Sequence, residues 1–177
     1  MRERIEIRIC GLGGQGVVLA GQILGKAAVY DGKNVVQTQS YGAEARGSAA
    51  KSEVIISNSQ IGFPMVRKCD ILVAMSQTAV DKYIKDLKEN GFLLIDESLV
   101  EKIPKITAKV FKVPSTKKAE NIFKTKLYAN IIMLGALTKI TGIVSEKSME
   151  KAIGESVPEN AREQNLKAFK EGYNAVS

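Results

Sequence analysis

The chain has 177 residues, 45% hydrophobic and 25% charged, a balance that suits one globular domain with a core of its own. It contains no histidine and only two cysteines, Cys10 and Cys69, with no C-x-x-C pair. That excludes histidine-based catalytic triads and histidine metal ligands, and argues against a disulfide framework, a zinc site or a self-contained iron–sulfur cluster. No apolar run is long enough to span a bilayer, and the N-terminal "MRERIEIRIC" is too charged for a signal peptide, so the expected location is the cytoplasm.

The net charge of +7 is unevenly placed: eight lysines lie between Lys102 and Lys126 against one acid, Glu120. The segment has no arginine and few aromatics, so a solvated face or a protein contact is expected there, and no nucleic acid.

In chain order, apolar runs and turn signals predict strands at 4–10, 34–40, 49–57, 70–75, 92–96 and near 108–113, with helices at 17–30 and 78–89. Asp31-Gly32 and Asn90-Gly91 are read as the helix stops. The runs "DILVAM" and "GFLLID" are continuously apolar, as in strands buried on both faces. Beyond them "LYANIIMLGALTKITG" repeats Leu127, Ile131, Leu134 and Thr138 at helical spacing, with Gly135 and Ala136 offering close packing. Gly142 ends that helix. A helix from Ser145 to Ile153, with Ser145 as its N-cap, and another from Glu159 to Gly172 follow. Residues 1–177 thus read as a single α/β domain, a Rossmann-like three-layer sandwich. Its sheet is mostly parallel with helices on both faces, and its C-terminal portion is helical.

Two segments carry candidate chemistry. In "ICGLGGQGVVLAGQILGKAA" the glycines at 11, 13 and 16 have G-x-G-x-x-G spacing between a strand and a helix, which presents free N–H groups at a helix N-terminus. A dinucleotide site also needs an acidic residue at the end of the second strand, where this chain offers Gln37, Thr38, Gln39 and Ser40. The same glycines could serve only to let the helix pack closely, helped by Ala20, Gly21, Gly25 and Ala28. The second segment, "QTQSYGAEARGSAAKSEV", places Tyr41, Gly42, Glu44, Arg46 and Gly47 in a loop at a strand's C-terminal end, where open α/β sheets bind ligands.

Together with "NIIMLGALTKITGIVS" and "NLKAFKEGY", these segments resemble the gamma subunit of the 2-oxoacid:ferredoxin oxidoreductases, in the family's order and over essentially the whole chain. The "YGAEARG" after "QTQS" resembles the 2-oxoglutarate type; pyruvate and 2-ketoisovalerate/indolepyruvate types are the alternatives within the family. The resemblance implies that this chain is inactive alone and binds no cofactor alone. Thiamine diphosphate, Mg and 4Fe-4S clusters would belong to alpha, beta and ferredoxin-like delta subunits, with coenzyme A as co-substrate and ferredoxin as electron acceptor. It implies no nucleic acid and no membrane as partner.

On this reading Gly11, Gly13, Gly14, Gln15, Gly16 and the loop Tyr41, Gly42, Glu44, Arg46, Gly47 line the shared active-site region. Gln15 and Arg46 are the preferred polar contacts, Glu44 orients Arg46, and Asn130 in its apolar helix fixes a loop; intersubunit packing is the alternative for all of them. Relatives read Arg-Gly-Gly where this chain has Gly47-Ser48, which removes a residue free in φ. A freestanding nucleotide-binding oxidoreductase and a regulatory α/β module are the remaining readings.

Overall fold

The computed structural model of the protein describes residues 3–42 and 48–176. Its strands are β1 (Arg4–Leu12), β2 (Asn34–Tyr41), β3 (Ala49–Ser57), β4 (Cys69–Ala74), β5 (Leu87–Asp96) and β6 (Lys109–Val113). The helices are α1 (Val17–Tyr30), α2 (Gln77–Tyr83), α3 (Ser115–Phe123), α4 (Ala129–Thr141), α5 (Glu146–Ser156) and α6 (Arg162–Tyr173).

One six-stranded sheet has the order β2-β3-β1-β4-β5-β6. β1 pairs parallel to β4, β4 to β5 and β5 to β6, while β3 runs antiparallel to both β1 and β2. Five strands therefore share one direction and β3 opposes them. The reason is chain length: β2 and β3 are joined by residues 42–48 alone, too few for the crossover that a parallel pair requires.

Alternation along β1 divides the core. Ile7 and Ile9 join Val54, Ile56, Ile71 and Val73 under α1, α3, α4, α5 and α6, whereas Cys10 joins Ile55, Leu72, Ala74, Leu93 and Ile95 on the opposite face. That second face is covered by α2, through Ala79, Val80 and Tyr83, and by Val66 and Val100 from the connections after β3 and β5. Helices lie on both faces, but unequally. Both cysteines are fully buried, and desolvation pushes both thiols up, Cys69 to about 12.

Close backbone approach organises the helical layer. A Cβ at Gly21 of α1 would come 1.8 Å from Ser52 Oγ on β3, and α4 crosses α6 at Gly135 and Gly172. Ser145 caps α5 by accepting the Ser148 N–H at 3.2 Å, and Gly32 ends α1 with φ +76°, both as the sequence suggests.

Three expectations are corrected. The helix read over 78–89 ends at Tyr83, followed by a 3₁₀ turn at Ile84–Asp86. Arg8 holds the Asp86 carboxylate at 2.6 Å, and the chain enters β5 directly afterwards. Asn90-Gly91 is therefore not a helix stop but a bulge within β5. Asn90 takes φ +60°, and the chain from Leu87 to Phe92 on β5 faces only Cys69 to Ile71 on β4. Leu127 stands outside the packed face of α4, in the 3₁₀ turn Lys126–Tyr128, and is 76% exposed. α3 has no clear signal in the sequence, because lysines mask the apolar spacing of Ala119, Ile122 and Phe123.

Candidate functional site

The turn after β1 is built on left-handed glycines, Gly14 at φ +89° and Gly16 at φ +72°. Gly16 is the N-cap of α1 and offers no side chain, so among the described residues the N–H groups of the helix's first turn have neither an intrahelical nor a capping side-chain partner. The Gly13 N–H donates to the Ser48 carbonyl at 2.9 Å, which ties the turn to the start of β3. Asn130, buried in α4, donates from Nδ2 to the Gly16 carbonyl at 3.1 Å and accepts the Ile131 N–H at 2.9 Å. A Cβ at Gly16 would lie 2.4 Å from Asn130 Nδ2.

Gln15 decides what the turn leaves open. Strand order reverses between β1 and β4, since β3 and β2 lie to one side and β5 and β6 to the other. Ligands of open α/β sheets enter at that crevice. Here Gln15 spans it, donating from Nε2 to the Met75 carbonyl at 2.8 Å and accepting the Leu12 N–H at Oε1 at 2.6 Å. A Cβ on Gly11 would meet that Oε1 at 2.4 Å, so the bare Gly11 makes room for Gln15. Gln37, the neutral stand-in for a ribose-binding acid, donates to Ser52 Oγ at 2.9 Å and braces the α1–β3 contact. The crevice of a dinucleotide fold is thus filled from within.

Open space lies on the turn's other flank. Gly13, Gly14, Val18, Tyr41 and Ala50 help bound a depression of about 250 Å³. A Cβ on Gly14 would meet nothing within 4 Å, and Tyr41 is 64% exposed. The Gly42 N–H donates to the Ala49 carbonyl at 2.7 Å and closes the base of the β2–β3 hairpin. Glu44, Arg46 and Gly47 lie outside the described residues. Ser48 needs no left-handed backbone: among the described residues other than glycine, positive φ occurs at Asn90 and Lys124.

Two buried polar centres escaped the sequence reading. Asp96, at the C-terminal end of β5, accepts the Ser98 N–H at 3.0 Å, the Thr116 N–H at 3.1 Å and the Thr116 hydroxyl at 2.5 Å, so it caps α3 from outside the helix. A carboxylate closing the apolar run "GFLLID" is the signal that could have found it. Arg8, 3% exposed in the middle of β1, reaches Glu53, Asp86 and the Val66 carbonyl. Among the described residues no group of three or more His, Cys, Asp or Glu could hold a metal, and Cys10 and Cys69 donate to the carbonyls of Val73 and Asp86 inside the core. No helix among the described residues is long and apolar enough to cross a membrane.

Residues 6–175 match the family model of pyruvate ferredoxin/flavodoxin oxidoreductase, and the chain belongs to this family. It is 56% identical to the 2-oxoglutarate synthase subunit KorC of Methanocaldococcus jannaschii, over 98% of this chain and 94% of that one. It is 33% identical to the common gamma subunit of the pyruvate/ketoisovalerate oxidoreductases of Thermococcus litoralis, over 96% of this chain and 95% of that one. A crystal structure of the gamma subunit of a keto/oxoacid ferredoxin oxidoreductase from Geobacter sulfurreducens superimposes with a TM-score of 0.87 at 48% identity, covering 97% of each chain. These counterparts are separate gamma-type subunits, so the chain is one subunit of a 2-oxoacid:ferredoxin oxidoreductase, as its motifs imply.

Proposed function

We propose that this subunit serves a 2-oxoglutarate-specific enzyme, which decarboxylates 2-oxoglutarate oxidatively, transfers the succinyl group to coenzyme A and passes electrons to ferredoxin. The observation that carries the specificity is the 56% identity to a 2-oxoglutarate synthase subunit, against 33% to a pyruvate/ketoisovalerate gamma subunit over the same extent. Thiamine diphosphate, its Mg and the 4Fe-4S clusters are assigned to alpha, beta and delta partners in the cytoplasm; thiamine supplies the carbanion chemistry there.

This chain's part is to complete a wall. The depression beside Gly13, Gly14 and Tyr41 lies at the uncapped N-terminus of α1, whose N–H groups favour an anionic group. Gly14, Gly16, Tyr41 and Gly42 face the partner's site and the coenzyme A path, and Glu44, Arg46 and Gly47 are assigned a part in the same wall. Gln15 and Asn130 hold the turn in shape from behind.

The test is anaerobic purification of the tagged chain from its native host, followed by ferredoxin or dye reduction with 2-oxoglutarate, pyruvate and 2-ketoisovalerate. Co-purification of thiamine-binding and cluster-bearing chains with activity on 2-oxoglutarate supports the proposal. Preference for another 2-oxoacid overturns the substrate, and a lone chain overturns the assembly.

A further inference from the structure

At the end of the sheet opposite the glycine turn, the starts of β4, β5 and β6 converge around a groove of about 540 Å³. The whole of β4, six residues or about 20 Å of strand, separates it from the turn. Lys68, Lys85, Lys88 and Lys105 line it from three separate segments, together with one acid, Glu89. Lys88 is held by Glu6 at 3.1 Å and Asp70 at 3.0 Å. Lys68, Lys85 and Lys105 are exposed, and no ion pair or hydrogen bond with another described residue engages them. Between the lysines Ile84, Leu87 and Ile106 form a half-buried apolar floor.

Unneutralised like charges gathered around one groove repel one another, which an anionic occupant relieves. The floor narrows its class. No aromatic ring and no arginine lines the groove, so base stacking and bidentate phosphate clamping have no residue to act through. Separate exposed lysines each contribute little to holding one small ion, but they suit a segment that engages them together. The aliphatic floor suits the aliphatic side chains between that segment's carboxylates.

We infer that this groove docks an acidic polypeptide segment of a partner protein, with Lys68, Lys85 and Lys105 pairing its carboxylates over the Ile84–Leu87–Ile106 floor. The site is remote from the glycine turn and independent of which 2-oxoacid the enzyme uses.

The experiment uses the full chain and a labelled synthetic peptide of about ten residues alternating glutamate and leucine, read by fluorescence anisotropy at low and high salt. The combined Lys68→Ala, Lys85→Ala, Lys105→Ala variant should weaken binding at least about tenfold, equivalent to about 1.4 kcal/mol. A control with Lys112→Ala, Lys117→Ala and Lys147→Ala, which removes equal charge elsewhere, should leave binding within about twofold. Backbone amide shifts of the wild-type chain on peptide addition should concentrate at 68, 84–89 and 105–108, a readout that needs no variant to fold. Equal losses in both triple variants, shifts spread over the surface, or no binding would overturn the inference. Full displacement of the peptide by an equimolar amount of pyrophosphate would overturn it in favour of a small-anion site.

Discussion

Gln15 and Met75, sixty positions apart in sequence, meet across the gap between β1 and β4, where the Gln15 amide donates to the Met75 carbonyl at 2.8 Å. The same side chain accepts the Leu12 N–H, so one residue both shapes the glycine turn and closes the crevice beneath it. Gln15→Met, similar in volume but without the amide, leaves that carbonyl and N–H unsatisfied, which costs about 1–3 kcal/mol of stability. Urea unfolding of the isolated chain measures this. A variant as stable as wild type would show that the turn does not depend on Gln15.

The α4–α6 crossing gives a sharper contrast between glycines. A Cβ at 172 would come 1.8 Å from the Ile132 carbonyl oxygen, and one at 135 would come 2.1 Å from the Phe169 oxygen. Both neighbours are backbone and cannot swing aside, so Gly172→Ala and Gly135→Ala force the helices apart and lose about 1–3 kcal/mol or more. At Gly154 on α5 the nearest atoms belong to Arg162, 3.6 Å away. Gly154→Ala should therefore stabilise by about 0.4–1 kcal/mol, through a less flexible unfolded chain. Thermal melts of the three variants should move in these opposite directions.

These glycines also show what was legible in the sequence. The small residues of α1 and α4 mark close packing in any frame, and Ser145 or Asp31-Gly32 act on neighbours within a few residues, so local pattern finds them. Asn90-Gly91 is ambiguous in sequence, because a left-handed residue followed by glycine suits both a helix end and a strand bulge. What chose between them was Arg8 drawing Asp86 from 78 positions away. The glycine turn was recognisable as a turn, but the occupant of its crevice was not, since Gln15 finds Met75 only once β1 and β4 are paired. Asp96 has no sequence partner to mark it until α3, the helix it caps, is in place.

The start of α5 carries a pH-sensitive tie to the end of α1. The Asp31 carboxylate accepts the Ser145 N–H at 2.6 Å and the hydroxyls of Ser145 and Ser148 at 2.7 and 2.6 Å. Partial burial alone would raise its pKa, but the hydrogen bonds from Ser148 and Ser145, with Lys33 nearby, hold it below the usual carboxylate value. A depressed pKa means stability that is fully present above the unfolded value of about 3.9 and is lost as pH falls through the lower folded value. Wild type and Asp31→Asn should therefore differ most in urea midpoint near neutral pH and converge as pH falls below the lowered folded value. A difference constant with pH would locate the effect in packing instead of charge.

Arg8 is a buried charge that is costly to remove. It lies 3% exposed under the sheet, with Glu53 at 2.8 Å, Asp86 at 2.6 Å and the Tyr83 ring 5.0 Å from its guanidinium carbon. Arg8→Met fills the volume but leaves the buried Glu53 without its main partner, a loss that costs about 3–5 kcal/mol in comparable pairs. Two features place it near the lower end: Lys51 still reaches Glu53 at 3.0 Å, and the Asp86 side chain is 31% exposed and can recover water. Removing both charges, Arg8→Met with Glu53→Gln, should restore part of that stability relative to Arg8→Met alone, because no uncompensated carboxylate remains. Arg8→Lys keeps the charge but not the planar fork that serves Glu53, Asp86 and the Val66 carbonyl at once, so it should fall between wild type and Arg8→Met. A double-mutant cycle by urea unfolding tests all three; purely additive losses would show that Arg8 and Glu53 contribute through packing and not through their pairing.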